Sequence, residues 1–482
     1  VFSWIYVIDI SCDTSINTEK HYAKAVEGYS QAIELNPYNH LYWSNRAFAH
    51  IRVEEYGAAV ADATKAIELE PKFAKAYYRR GDAHFALSHF KEAVANFRCA
   101  ARMNPKDPDL RKKLAEAERE LKRVRFEEAL ALPEDTTSAL NSVCVEDIHV
   151  EEGYSGPVME RNEEDTEYVV TLEFIQSMMN EFKGQRKVHR RFTMQIILAA
   201  YERLRELPSL VDVHVPDGRH ITVCGDTHGQ FFDLMRIFEL NGLPSASNPY
   251  VFNGDFVDRG SFSFEVIMTL LAFKAWDTEC MHLTRGNHES KSMNTIYGFY
   301  GEVKEKLGQS AVEIFRELFC AMPLAYVLNS KVMVVHGGIP TCETGGDLES
   351  LRKIDRVREP PESGPMCECL WNDPQPELGI TPNKRGVGFA FGPDITKRYL
   401  QENGLSLLVR SHEVKDEGYE LAHDGFCCTI FSAPNYCDQM GNKGAFIRFN
   451  GEDMVPHFTQ FDAAPHPDVR AMKYASGMFG MM

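Results

Sequence analysis

The chain has 482 residues, 44% hydrophobic and 25% charged, with a formal net charge of −18 and twelve cysteines. That length supplies two or three domains, and the acidic balance excludes a general nucleic-acid binder, because only local basic patches would offset phosphate repulsion. No run reaches the roughly eighteen apolar residues of a membrane span, and Cys427-Cys428 and Cys367-Glu368-Cys369 are too tightly spaced to staple a fold, so a reduced compartment is expected.

Val1 to Ile10 is conspicuously apolar and does not begin with Met, which reads as the end of a longer chain. Pro37, Pro71 and Pro105 then stand 34 residues apart, each closing a similar tail: Ala-Ile-Glu-Leu-Asn-Pro, Ala-Ile-Glu-Leu-Glu-Pro and Ala-Arg-Met-Asn-Pro. The same frame aligns Ala25, Ala59 and Ala93, then Ala32, Ala66 and Ala100, with Trp43 and Tyr77 at an aromatic position and Ala47 and Gly81 at a small one. This is the tetratricopeptide pattern, in which small residues let two helices approach and the proline ends the second. It fails over residues 1–16, where Asp9, Cys12, Asp13 and Ile16 fall on aromatic, apolar, small and aromatic positions. Only the second helix of repeat one, about His21 to Leu35, is expected intact.

Asp107-Pro108 reads as an N-cap and first-turn proline for a charged helix to about Leu130, which closes a repeat domain spanning 17–130. Residues 131–167 form an acidic linker; from Glu146 to Glu167 there are nine acidic residues and one basic one, so poor order and no core are expected there. Helical patterning resumes from Thr171 to Leu207 in a domain spanning 168–470, in which strand, loop and helix alternate from about Ile221. The tail, 471–482, is apolar, Met-rich and weakly helical.

Three runs in this domain carry hard, oxygen-rich ligands at the ends of apolar segments. Gly225-Asp226-Thr227-His228-Gly229 follows Ile221 to Cys224, Gly254-Asp255-Phe256-Val257-Asp258-Arg259-Gly260 follows Tyr250 to Phe252, and Arg285-Gly286-Asn287-His288-Glu289 follows His282-Leu283. Strand-like runs that end in polar, glycine-bounded loops place those loops at one edge of a sheet, where α/β sites are built. Aspartate, asparagine and neutral imidazole without thiolates suit Mn, Fe or Zn, and a shared carboxylate could hold two ions about 3.5–4 Å apart. Lys331 to Val335 precedes His336-Gly337-Gly338, and Leu405 to Val409 precedes Arg410-Ser411-His412. A lone histidine such as His336 is usually a core residue; its place after an apolar strand and before two glycines, in a chain carrying the three runs, favours a ligand.

This constellation resembles the metallophosphoesterase signature, and GDTHGQ, GDFVDRG, LTRGNHE, HGG, RSHE and SAPNYC look like the serine/threonine protein phosphatases of the calcineurin type. With the repeats, the chain from about residue 20 to 482 is similar to the repeat-bearing branch of that family. The resemblance implies a multidomain protein, an all-α tetratricopeptide solenoid followed by an α/β metallophosphoesterase sandwich domain. It implies one metal on Asp226 and His228, a second on Asn287, His336 and His412, and Asp255 bridging both. A hydroxide between the ions would attack phosphorus in line, without a covalent phosphoenzyme. His288, oriented by Asp258, matches the general acid, since an alkoxide leaving group needs a proton. Arg259 and Arg385 match a guanidinium clamp on the phosphate oxygens, Asn287 adds a hydrogen bond, and Tyr436 matches a tyrosine overhanging the cleft.

In the repeats, Asn45, Lys75 and Arg79 match three positions of the carboxylate clamp that binds the C-terminal acidic peptide of the 90-kDa heat-shock chaperone. The remaining two positions fall on Ile10 and Thr14, so weakened chaperone binding is expected. Glu54 matches an acidic side chain that reaches toward the metal site in an autoinhibited state braced by the C-terminal tail. The competing readings are a metallophosphoesterase of small phosphate esters and a co-chaperone scaffold with little catalysis. The paired arginines and the SAPNYC loop favour phosphoserine and phosphothreonine in proteins. A monomer in the cytoplasm and nucleus, without nucleic-acid or membrane partners, completes the expectation.

Overall fold

Alanine and glycine at fixed 34-residue intervals leave no room between paired helices except for direct backbone approach. The computed structural model describes residues 18–130, 138–162, 168–341 and 346–475, so the atypical segment 1–16, with Ile10 and Thr14, and residues 476–482 of the tail lie outside it. The chain divides into two units, one spanning Val1–Thr136 with Pro382–Gly388, the other Thr137–Thr381 with Phe389–Met482.

In the first unit the frame becomes the helices Thr18–Leu35, His40–Arg52, Tyr56–Leu69, Ala74–Ala86 and Phe90–Met103, followed by Pro108–Leu130. Ala47, Ala59, Ala66, Ala93 and Ala100 are wholly buried. A Cβ on Gly81 would lie 2.8 Å from the Phe97 ring, so the small residue there is a packing requirement. Each repeat's aromatic ties back to the proline turn before it: Trp43 Nε1 donates to Pro37 O at 2.8 Å and Tyr77 Oη to Pro71 O at 3.3 Å. The last helix is capped by Asp107, whose Oδ1 accepts from the N–H groups of Asp109 and Leu110.

The second unit packs two mixed sheets face to face. One runs in the order Tyr419–Ala422, Cys427–Ile430, Leu407–Arg410, Val332–Val335, Ala325–Leu328, Leu210–Val213; the other Pro456–Phe461, Gly444–Asn450, His220–Cys224, Tyr250–Phe252, Met281–Leu283. Strand alternation assigns the faces. Val332, Val334, Val409, Cys428 and Ile430 meet Ile221, Val223, Val251 and Ile447 between the sheets. Met333, Val335, Leu408 and Cys427 point outward under the helix Pro393–Glu402, while Cys224, Tyr250, Phe252 and Leu283 face the helices Leu172–Lys183, Arg190–Arg205 and Ser263–Trp276. Cys427 and Cys428 therefore belong to opposite layers, and every cysteine among the described residues is free. No helix among the described residues is long and apolar enough to cross a membrane.

The expectation of no core between Glu146 and Glu167 fails for the described part of that segment. Met159, with Leu140 and Val145 just upstream, is buried in the helix-side core. Glu146 is neutralised by Arg161 at 2.8 Å and by Arg191, and Glu317 accepts from Ser138 Oγ and from the Ala139 N–H, both at 2.5 Å. The acidic composition describes a solvated outer face, and a few apolar side chains anchor the inner one.

Candidate active site

Parallel pairing decides where the polar loops converge. His220–Cys224, Tyr250–Phe252 and Met281–Leu283 are mutually parallel neighbours, as are Val332–Val335, Leu407–Arg410 and Cys427–Ile430 in the other sheet. Six loops thus leave the carboxyl ends of six strands at one edge. They are cross-tied: Asn253 Nδ2 donates to Val335 O and Ser411 Oγ, both at 2.9 Å, and the Ser432 N–H to Asp226 O at 3.1 Å. Asp226, His228, Asp255, Asp258, Arg259, Asn287, His288, His336, His412 and Tyr436 are all buried there.

Tight loops force unusual backbone on the working residues. His228, Asp255, Asp258, Arg259 and His412 all have positive φ, between 37° and 70°, a region that non-glycine residues enter at a cost and that clusters at functional sites. Gly254, at φ +82°, is a point of close approach: a Cβ there would lie 2.7 Å from both Gly286 Cα and His336 Nδ1.

Two imidazoles are oriented by main chain. His228 Nδ1 donates to Val257 O at 3.0 Å and His336 Nδ1 to Asn253 O at 2.9 Å, so each Nε2 turns inward. These Nε2 atoms lie 3.5 and 3.3 Å from Asp255 Oδ2. The Asn287 amide is 2.9 Å from His336 Nε2, His412 Nδ1 is 3.3 Å from the same atom, and the His412 N–H donates to the Asp226 carboxylate. Asp255 belongs to both groups of donors whose ligand atoms lie within 4.8 Å of one another, His228–Asp255–His288 and Asp255–His336–His412. Imidazole lone pairs aimed at a buried carboxylate repel it unless a cation or proton lies between, so this donor set fits divalent ions. The electrostatics carry the same strain: burial, with Asp255 adding to it, pushes Asp226 up to about 7. Against burial, which would lower it, Asp255 raises His336 to about 9, while burial holds His228 down at about 3.

Asp258 anchors the His288 imidazole. Its Oδ2 accepts from His288 Nδ1 at 2.8 Å and its Oδ1 from the Phe299 N–H at 2.8 Å, and the His288 N–H donates to Asp255 Oδ1 at 2.9 Å. Burial alone would lower His288, but Asp255 and the hydrogen-bonded Asp258 outweigh it and its pKa is raised. The Arg259 guanidinium carbon lies 3.8 Å from the centre of the Tyr297 ring. The Arg259 main chain is held on both sides, donating to Tyr297 O at 3.1 Å and accepting from the Met472 N–H of the tail at 2.7 Å. The Tyr436 ring centre is 5.2 Å from that of His228. Arg385 lies between the strands Ile380–Pro382 and Phe389–Phe391, its N–H donating to Asn383 Oδ1 at 2.9 Å.

Residues that the sequence reading left without a role also hold the site. Glu289 accepts from the N–H groups of Asp255 and Gly286 at 2.8 Å and of Phe256 at 2.9 Å, locking two ligand loops together, and burial followed by Asp255 pushes it up to about 7. Its wholly polar, loop-bound neighbourhood in the third run was the available signal. Asn294 and Tyr297 follow that run on the short helix Lys291–Tyr297, and no spacing rule marks them.

The repeat residues occupy adjacent first helices. Asn45 is on His40–Arg52, and Lys75 and Arg79 are on Ala74–Ala86. Arg79 Nη1 donates to Ser44 Oγ at 2.8 Å and Asn45 Oδ1 at 3.0 Å, and burial lowers its pKa to about 10. Lys75 is exposed. Glu54 sits on the turn between His40–Arg52 and Tyr56–Leu69 with φ +63°.

Three family models match the chain: calcineurin-like phosphoesterase over residues 219–416, a PPP5 TPR repeat region over 114–212, and a tetratricopeptide repeat over 74–107. Serine/threonine-protein phosphatase 5 of Solanum lycopersicum is 52% identical, covering 95% of this chain and 94% of its own length. The Homo sapiens protein of the same name is 50% identical over 96% of this chain and 92% of its own. The chain belongs to the serine/threonine-protein phosphatase 5 family. A solved Saccharomyces cerevisiae protein serine/threonine phosphatase, described as similar to human phosphatase PP5, matches with a TM-score of 0.60 and 40% identity, covering 63% of this chain and all of that one. The chain is therefore a protein serine/threonine phosphatase with a tetratricopeptide region and a metallophosphoesterase domain, and membership implies divalent metal binding.

Proposed function

We propose that two divalent cations, Mn, Fe or Zn, are held by Asp226 and His228 on one side and by Asn287, His336 and His412 on the other, with Asp255 shared. The observation that carries this reading is the Asp255 carboxylate lying between two inward-facing imidazole Nε2 atoms. Bound there, the pair would supply an acidified water for in-line attack on a phosphoserine or phosphothreonine monoester and neutralise its charge. The chain's own residues do the rest. Arg259 and Arg385 clamp the phosphate oxygens and steady the charge that builds in the transition state, with Asn287 and Tyr436 completing the cradle. His288 has Nδ1 committed to Asp258, which leaves Nε2 to deliver a proton to the departing alkoxide. His288→Asn is expected to slow hydrolysis of a phosphothreonine peptide by about 10²–10⁴-fold while bound metal, measured by elemental analysis, stays unchanged. Equal activity, or metal lost with the histidine, overturns the assignment.

The repeat unit is proposed to restrain basal activity, with Glu54 and the C-terminal tail taking part, and to take a peptide ending in a free carboxylate, as at the C-terminus of the 90-kDa chaperone. Support comes from Arg79 and Asn45, already held together on adjacent helices, with exposed Lys75 beside them. Ile10 and Thr14 weaken that clamp in this chain. Activation of the full chain by the chaperone peptide, lost in Lys75→Ala, tests the groove, and raised basal activity in Glu54→Ala tests the restraint. A monomer in cytoplasm and nucleus is the accompanying proposal.

A further inference from the structure

The short helix Lys291–Tyr297 and the two residues after it touch the proton donor, its anchor and the phosphate-binding arginine. Asn294 Nδ2 donates to Asp258 Oδ2 at 3.1 Å and to the His288 main-chain oxygen at 2.6 Å. One amide thus holds both members of the Asp258–His288 pair, and at 9% exposure the site gives water little access to replace it. Without Asn294, Asp258 keeps the Phe299 N–H and His288 itself, so the pair persists but its carboxylate can swing. Three residues on, Tyr297 accepts the Arg259 N–H through its main chain and lies 3.8 Å beneath the guanidinium. Packing on an aromatic face restrains the plane of a guanidinium while phosphate is bound at its edge.

We propose that Asn294 and Tyr297 are positioning residues with separate tasks, Asn294 aiming the proton donor and Tyr297 aiming the phosphate-binding arginine. This rests on the reading of His288 and Arg259 given above. The two tasks separate by leaving group. An alkoxide leaving from phosphothreonine needs a proton, whereas p-nitrophenolate, a much weaker base, leaves without one. Misaiming the donor therefore slows only the first reaction, and misaiming the arginine slows both.

The test uses the full chain loaded with manganese, a phosphothreonine peptide, p-nitrophenyl phosphate, and competitive inhibition by inorganic phosphate. Asn294→Ala, with Asn294→Ser as a milder partner should the first fold poorly, is expected to lower kcat for the peptide about tenfold more than for the aryl ester, leaving phosphate inhibition unchanged. Tyr297→Leu is expected to weaken phosphate inhibition and to lower kcat/KM for both substrates alike, each about tenfold, and Tyr297→Phe, which keeps the ring, to restore both. If Asn294→Ala slows both substrates equally, its role is merely structural and the first task is refuted; unchanged phosphate inhibition in Tyr297→Leu refutes the second. His288→Asn, run alongside, must itself discriminate between the substrates. Should it fail to do so, the fault lies with the general-acid reading rather than with Asn294.

Discussion

The catalytic edge and the repeat groove are proposed to bind charged groups by opposite strategies. At the edge every proposed ligand is buried, and its side chain is fixed by main chain or by another ligand: His228 by Val257, His336 by Asn253, Asp255 by the His288 N–H. In the groove Lys75 is exposed and Asn45 half-buried, and the helices that carry them are set by alanine packing on their other faces. Burial makes the edge interdependent, because removing one charge leaves others unpaired in low dielectric. Exposure leaves the contribution of Lys75 graded, whereas Arg79 and Asn45, hydrogen-bonded to each other, act together.

The largest effect that would sharpen this contrast comes from the carboxylate common to both donor groups. Asp255→Ala is expected to lose at least about a thousandfold in kcat together with most bound metal, because the inward imidazoles then lack their shared counter-charge. Elemental analysis and phosphothreonine hydrolysis measure both. Retention of two metals per chain would break the comparison at its centre.

Next in size is a matched pair of glycine substitutions. At Gly254 an added Cβ meets Gly286 backbone and His336, neither of which can yield, and φ is +82° besides; at Gly81 it meets the edge of the Phe97 ring, a side chain that can shift. Gly254→Ala is expected to abolish metal binding. Gly81→Ala is expected to cost only about 1–3 kcal/mol of repeat stability through overpacking, partly offset by alanine's better helix propensity, as read from the helical melting transition by circular dichroism. An unaltered melting temperature for Gly81→Ala would mean that the repeat helices tolerate looser packing than their wholly buried alanines indicate.

How much of this was legible in the sequence follows from range. The strand Tyr250–Phe252 falls where the pattern put it, because all three residues are buried and Pro249 and Gly254 bound the run. The repeat helices are legible because their period repeats, and the site's composition because three motifs sit at strand ends. Leu407–Arg410 starts two residues later and ends one residue later than expected, with Arg410 held inside by its near neighbour Glu413 at 2.7 Å and by Asp373 at 2.6 Å, the latter a pairing across 37 residues that no local pattern encodes. Met159 was misread for the same reason: one apolar side chain in an acidic stretch has no period, and its burial is decided by helices formed later in the chain. Asn294 and Tyr297 escape because a side chain that positions another carries no spacing of its own.

The smallest expected effect lies in the repeats and concerns pH. His84, on the helix Ala74–Ala86, is half-buried 5.8 Å from His89, and burial followed by that neighbour lowers its pKa to about 4. A histidine whose folded pKa is depressed below its unfolded value of about 6.5 contributes stability above that value and loses it as pH falls toward the folded one. The repeat unit should therefore weaken between about pH 6.5 and 4. Solvent around a half-buried ring screens the effect, which is expected to stay under about 1 kcal/mol. His84→Gln should flatten the melting temperature of the repeat unit between pH 7 and 5, while activity at the catalytic edge, where His288 is the proposed proton donor, keeps its own profile. If His84→Gln leaves the acid slope unchanged, His84 is not its source, and the half-buried Asp82–Lys113 pair, whose aspartate burial raises, cannot supply that slope either. The sign of that pair is the opposite, because a carboxylate with a raised folded pKa loses stability as pH rises through that value.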